Sequence, residues 1–188
     1  MARDGPEHIA ALIERIGRLL STDAHAAGLA PVQWEALRYL GRANRFSRTP
    51  AALTAYLGLT KGTVSQTLNA LEARGMVVKQ VDPGDRRSRN LSLSPAGRAL
   101  LGRDPLAETV AATRTLSGPQ RAELVRGLES ILSSRLDARQ RKPFGQCRDC
   151  RYFALRHPGG APHYCRLLDE PLAVEEKDLI CHEQQPAA

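Results

Sequence analysis

Two short helical patterns, a tight turn between them and a hairpin follow one another from Thr49 to Gly97. Thr49-Pro50 pairs a capping residue with proline at the first helical position, and Leu53, Tyr56 and Leu57 then recur at helical spacing until Gly58. After the Gly58-Leu59 turn, Thr60 caps a second helix in which Val64, Leu68 and Leu71, at i, i+4 and i+7, mark the buried side. Its other side presents Lys61, Thr63, Ser65, Gln66 and Asn69. Arg74-Gly75 ends this helix, Met76 to Val81 is a β-branched run, and Asp82-Pro83-Gly84-Asp85 turns the chain back into Arg89 to Leu93, where Leu91 and Leu93 alternate inward. The returning arm gathers Arg86, Arg87 and Arg89, which repel one another unless an anion lies among them. A helix-turn-helix followed by a basic hairpin is the reading, and DNA is the partner it implies. The polar face suits base edges in the major groove, and the arginines suit phosphate. Thr49, Thr60, Lys61, Thr63, Ser65, Gln66, Asn69, Arg86, Arg87 and Arg89 are the candidate contacts, against the plain alternative of a solvated polar surface.

Charge is divided in the same sense. Residues 1–142 carry 22 basic and 13 acidic side chains, a net +9, whereas residues 143–188 carry 5 and 7, a net −2. A positive field confined to the first part fits association with a polyanion. The length, 188 residues, suits one well-buried domain and a small appendage. No apolar run is long enough to span a bilayer, so the expected location is the cytoplasm with no membrane partner. Catalysis is not expected, because there is no Gly-rich phosphate loop, no His-Glu-x-x-His and no nucleophile with an ordered base.

The flanks supply helices. Asp4-Gly5-Pro6-Glu7 reads as a capping box, and Ile9, Leu12, Ile13, Ile16, Leu19 and Leu20 form one apolar stripe that needs a partner. Ala30-Pro31 opens a helix with Trp34, Leu37 and Leu40 on a narrow apolar edge and Trp34 in the core. Arg42, Arg45 and Arg48 follow in a loop and carry no assignment. Ser94-Pro95 starts another helix that Pro105 bends or interrupts, and Ser117-Gly118-Pro119-Gln120 starts a long amphipathic one through Leu124, Leu128, Ile131, Leu132 and Leu136.

The ordered series Leu68-x-x-Leu71-Glu72-x-x-Gly75-Met76-Val77, Asp82-x-x-Asp85-Arg86-Arg87 and Leu91-x-Leu93-Ser94-x-x-Gly97 resembles the MarR family of winged-helix transcription regulators. With the flanking helices the resemblance extends over roughly residues 5 to 140. It implies that the helix at 60–74 is the recognition helix and that the wing enters the minor groove, with Asp85 orienting Arg86 or Arg87. It also implies that the first helix and the last two build a homodimer, which suits a near-palindromic operator read by two recognition helices about one helical turn apart.

All four cysteines lie beyond Pro143, in the pattern C-x2-C-x14-C-x15-C: Cys147, Cys150, Cys165 and Cys181. In a reducing compartment such a set reads as a metal or cluster site before it reads as disulfides. There is only one C-x2-C knuckle, so the four sulfurs come from three places, as suits the corners of a cluster. Phe144, Tyr152, Phe153 and Tyr164 stand beside them and would exclude water. His163 or His182 could replace a cysteine in a mixed site, but His157, His163 and His182 read rather as surface or supporting groups, and Asp169, Glu170, Glu175 and Glu176 as solvated turns and a helix start rather than catalytic carboxylates. The spacing resembles high-potential iron–sulfur proteins and the small cluster-bearing subunits of some glycyl-radical enzymes, which implies one [4Fe-4S] cluster on the four cysteines. A [2Fe-2S] cluster and a zinc staple stay open as alternatives.

The expected fold class is mainly α with a small β-hairpin wing, an obligate-type homodimer, plus a small irregular cysteine-ligated module. The expected domains are 1–142 and 143–188. The expected function is a DNA-binding transcription regulator whose cluster senses oxygen, nitric oxide, redox state or iron. Two others were weighed: a repressor with a zinc tail that answers to a small aromatic ligand, and an electron-transfer module docked to an enzyme. A tail of this size has too little apolar surface to order itself, so its structure should depend on its metal.

Overall fold

The computed structural model describes residues 5–81, 89–157 and 159–187. Four helices come first: α1 (Pro6–Ala26), α2 (Pro31–Arg42), α3 (Pro50–Leu57) and α4 (Lys61–Ala73). The strands β1 (Val77–Val81) and β2 (Arg89–Leu93) pair antiparallel, with Val77 opposite Leu93 and Val81 opposite Arg89. Helices α5 (Pro95–Leu101), α6 (Leu106–Arg114) and α7 (Gly118–Asp137) follow. The described architecture is a mostly helical winged helix with small antiparallel sheets.

The capping logic of the sequence is realised at most starts. Thr49 accepts from the Ala52 N–H at 3.1 Å, Thr60 from the Thr63 N–H at 3.2 Å, and Ser117 and Gln120 close a reciprocal box on α7. Gly58 ends α3 with φ +65, a left-handed turn that glycine adopts without strain. Gly97 has a different reason, because a Cβ there would run into the Met76 carbonyl where α5 crosses the start of the hairpin. At the N-terminus the expected box is absent: Gly5 is the cap of α1, with no side-chain cap bond, and Asp4 lies outside the described residues. Pro105 interrupts rather than bends, since α5 stops at Leu101 and Pro105 itself precedes α6.

One core fills the space between α2, α3, α4 and the hairpin: Trp34, Leu37, Leu40, Leu53, Val64, Leu68, Leu71, Val77 and Leu91 are all buried. Trp34 is fully enclosed and its indole N–H donates to the Ala24 carbonyl at 3.2 Å, which ties the end of α1 to that core. Arg38 of α2 holds Asp104 in a bidentate pair at 2.6 and 2.7 Å and so fixes the turn between α5 and α6. Burial alone pushes the Asp104 carboxyl up. The Arg38 hydrogen bond, the Leu106 N–H and the guanidinium charge outweigh it and hold the carboxyl below its ordinary value.

The apolar stripes of α1 and α7 are left open in the single chain, with Leu19 and Leu132 each 58% exposed. Ile9, Leu12, Ile13 and Ile16 on α1, and Leu124, Val125, Leu128 and Ile131 on α7, are exposed beside them.

Beyond α7 the chain makes short strands only: β3 (Gly145–Gln146) pairs with β7 (Ile180–Cys181), and β4 (Phe153–Leu155), β5 (His163–Cys165) and β6 (Glu170–Leu172) form a small antiparallel sheet. This segment is seated on the winged helix rather than extended from the end of α7. Ile180 belongs to the main core, Ala43 bridges to it in parallel register, and the Asn44 N–H donates to the Ile180 carbonyl at 2.9 Å. Phe144 packs edge-on against Tyr39 and Tyr56, with ring centres 6.2 and 5.2 Å away.

Candidate nucleic-acid interface and cysteine site

Helix α4 buries Val64, Thr67, Leu68 and Leu71, and that choice of face turns Lys61, Thr63, Ser65, Gln66 and Asn69 to solvent. An open groove of about 380 Å³ runs between α3, α4 and the hairpin, lined by Pro50, Ala51, Thr54, Lys61, Ser65, Lys79 and Arg89, among others. Of the expected contacts, the structure brings Lys61, Ser65 and Arg89 onto this one groove. Thr49, Thr60 and Thr63 sit close by, and their hydroxyls already serve helix starts, with Thr60 and Thr63 sharing a hydrogen bond of 2.9 Å. Arg86 and Arg87, with the turn that carries them, lie outside the described residues.

Lys79 is the basic residue that the pattern reading passed over. It sits on β1, its ammonium donates to Asn69 Oδ1 at 2.5 Å and pairs with Glu72 at 2.8 Å, so it links the hairpin to the outer face of α4. Asn69 is thus engaged by the wing. The signal was available in the sequence, because Lys79 and Val77 alternate on β1 in the way that Leu91 and Leu93 do on β2.

The four cysteines do come together. Cys147, Cys150, Cys165 and Cys181 line one hollow with Phe153, Leu167, Leu172 and Glu183; its empty space, counting the part open to solvent, is about 280 Å³. They come from three short pieces. Cys147 opens a 3-10 turn, Cys150 ends it, Cys165 closes β5 and Cys181 closes β7. None is in a disulfide. Among the described residues, no group of three or more His, Cys, Asp and Glu side chains is gathered so that it could hold a metal ion. The thiols therefore ring a space without closing on one point.

Cys147 and Cys181 are buried beside one another, and each shifts the other. The Cys147 thiol donates to Cys181, which raises Cys147; burial raises it further, against the Asn44 hydrogen bond. That same bond lowers Cys181 to about 6, against burial, with help from Asn44, the Glu183 N–H and Ser47. Two further contacts reach the sulfurs, one from the winged helix and one from the tail: Asn44 Nδ2 donates to Cys147 Sγ at 3.4 Å and the Gln185 N–H to Cys150 Sγ at 3.5 Å. The donor set, four sulfurs on a hollow walled by Phe153, Leu167 and Leu172, fits an iron–sulfur group in kind.

The histidines stand outside the hollow. His182 stacks on Phe144, His163 on Phe153 and His157 on Tyr164. The carboxylates differ from expectation in one respect. Glu175 and Glu176 open a short 3-10 helix as expected, and Glu170 is partly exposed, but Arg45 reaches Glu176 and Glu170, at 2.5 and 3.2 Å, and also donates to the Pro171 carbonyl at 2.7 Å. Arg45, unassigned by the sequence, is the clasp between loop and tail.

A winged helix with a polar recognition face, a basic groove and open apolar end helices defines a class of nucleic-acid-binding proteins. Comparison with known proteins carries this further. Residues 27–88 match the family model described as "MarR family". Among solved structures, a MarR transcriptional regulator from Methanosarcina mazei Go1 is similar at 24% identity and a TM-score of 0.58, over 70% of this chain and 99% of that one. The transcriptional repressor CouR bound to a 23-mer DNA duplex is similar at 27% identity and a TM-score of 0.56, over 70% and 98%. The MepR–DNA complex of S. aureus is similar at 23% identity and a TM-score of 0.54, over 66% and 96%. No curated protein matches the chain. Residues 27–88 thus resemble the MarR family, and the winged-helix portion shares its fold with these transcription regulators. Since those neighbours are covered almost whole by 66–70% of this chain, the remainder of it has no counterpart in them. No helix among the described residues is long and apolar enough to cross a membrane.

Proposed function

We propose that this chain is a dimeric, DNA-binding transcription regulator whose four-cysteine tail holds an iron–sulfur cluster, [4Fe-4S], and that the state of the cluster sets operator affinity. The observation that carries the DNA reading is the groove between α3, α4 and the hairpin, where Lys61, Ser65, Lys79 and Arg89 meet. CouR and MepR, similar in fold, were both solved on DNA. In this reading Lys61, Lys79 and Arg89 set the register on phosphate, while Ser65 and Gln66 on the exposed side of α4 reach base edges. The open stripes of α1 and α7 supply the contact between two copies, which places two α4 helices on successive turns of a near-palindromic site.

Support for the cluster is the donor set: four thiols around one apolar hollow. Cys147, Cys150, Cys165 and Cys181 would hold it, and when bound it would supply a redox couple and a sensitivity to oxidants that four thiols lack. The chain's own part is to shield the site with Phe153, Leu167 and Leu172 and to hold the Cys181 thiol below its ordinary range, ready to ligate.

Selection of duplexes from a random pool by the full-length protein tests the DNA reading. The expected result is a near-palindromic consensus. Lys61→Ala should weaken binding to all sequences alike, lowering the slope of log affinity against log salt by about 1. Gln66→Ala should instead relax the preference at one position. A protein that selects no consensus and binds duplex equally at low and high salt contradicts the proposal.

A further inference from the structure

The loop between α2 and α3, residues 43–49, touches the tail, the wing and the recognition unit at once. Asn44 and Ser47 are buried polar residues in it. Asn44 Nδ2 donates to Cys147 Sγ at 3.4 Å, and its Oδ1 accepts from the Ser47 N–H at 3.0 Å. Ser47 Oγ accepts from the His182 N–H at 2.8 Å, one residue past Cys181, while the Ser47 carbonyl accepts from the Tyr39 hydroxyl at 2.7 Å. One residue on, the Arg48 carbonyl accepts from the Leu91 N–H of β2 at 2.7 Å, and Thr49 caps α3. The loop is thus bonded on one side to the sulfur site and on the other to the wing.

We propose that this loop is the read-out of the cysteine site: Asn44 and Ser47 are positioning residues that transmit what the four sulfurs hold to the wing and to α3. The proposal rests on the iron–sulfur reading above. Its physical basis is a difference in hydrogen-bond strength between two states. A sulfur that ligates a cluster carries negative charge and accepts the Asn44 N–H well; a free thiol is a weak acceptor. Loss of the group therefore weakens a bond made inside a buried loop, and Asn44 is left with a poorly paired donor. The loop can relieve this only by moving, and Arg48 and Thr49 move with it. Direct linkage also removes the need for any signal to run through α7 and the contact between copies.

Asn44→Asp is the informative variant, because it keeps the oxygen that accepts from Ser47 and replaces the donor to sulfur by a carboxylate oxygen, which cannot donate and adds negative charge beside it. Ser47→Ala is the second, since it removes the acceptor for the His182 N–H without touching Asn44. Full-length proteins purified without oxygen are compared for iron and sulfide content, midpoint potential and affinity for the selected duplex, before and after cluster removal by chelation. In the natural chain, cluster removal is expected to change affinity by about 5–150-fold. In each variant that keeps its iron, this ratio falls toward one, and in Asn44→Asp the potential also moves to more negative values because the sulfur loses a donor. If iron and sulfide are at natural levels in either variant and both ratio and potential are unchanged, the read-out assignment is wrong and the cluster reading stands. If Asn44→Asp loses its iron, the ratio in Ser47→Ala decides. A natural chain that contains no iron overturns both readings together.

Discussion

The winged-helix region and the four-cysteine tail are built on opposite principles. In the first, long periodic runs bury Trp34, Leu37, Leu40, Leu53 and Leu68 in one close-packed core, and burial of such side chains contributes ~1.5–3 kcal/mol each. The tail has only Leu172, Cys147 and Cys181 buried in a cluster of its own, strands of two or three residues, and a clasp of charges from Arg45. Its order depends on anchors lent by the neighbour, on Ile180 in the shared core, and on whatever its sulfurs bind. A segment of this kind is suited to report a change, because its folded state is contingent, whereas the region that reads DNA must stay folded throughout.

The sharpest way to break this contrast is to damage the core. Trp34→Ala should cost about 3–5 kcal/mol in urea unfolding and release the tail with the winged helix, because Ile180 rests on the same core. Cys165→Ala should do the reverse: the helices keep their unfolding midpoint, while amides at 145–181 lose hydrogen-exchange protection. If both variants melt both regions equally, the two are not built differently.

Smaller effects sharpen it. Asp104→Asn should lower winged-helix stability by about 2 kcal/mol, since Arg38 is left half-buried without its partner. The Asp104 carboxyl is held below its unfolded value, so its contribution is complete above about pH 3.9 and is lost as pH falls through the lower folded value. The gap between natural and Asp104→Asn proteins in urea should therefore close in acid and stay constant from pH 5 to 7. Arg45→Ala, at the partly exposed clasp, should weaken tail protection by about 1 kcal/mol and leave the urea midpoint of the helices in place.

Much of the first region was legible because each local signal agreed with the next. Thr49-Pro50, Gly58, Thr60 and Ser94-Pro95 fall at observed element ends, and Val64, Leu68 and Leu71 face the core as their spacing implies. The tail was legible in its four cysteines, which do line one hollow, and opaque in its placement. Ile180 stands in the short run Leu179-Ile180-Cys181, with no period to mark it rather than its neighbour as core. Asn44 and Ser47 look like loop residues until the chain folds sulfur and backbone against them from more than a hundred positions away. The pairing of Arg45 with Glu176 spans 131 positions, and no local pattern announces it. Long-range polar contacts are set by tertiary packing, which periodicity does not encode.

The most direct test of the account is the metal content of full-length protein purified without oxygen, with iron, acid-labile sulfide and zinc measured on one sample beside its absorption spectrum. The account predicts a brown protein with about four iron and four sulfide per chain, bleached by chelation together with loss of hydrogen-exchange protection at 145–181. A colourless protein carrying one zinc per chain, with the same tail protection, would contradict it.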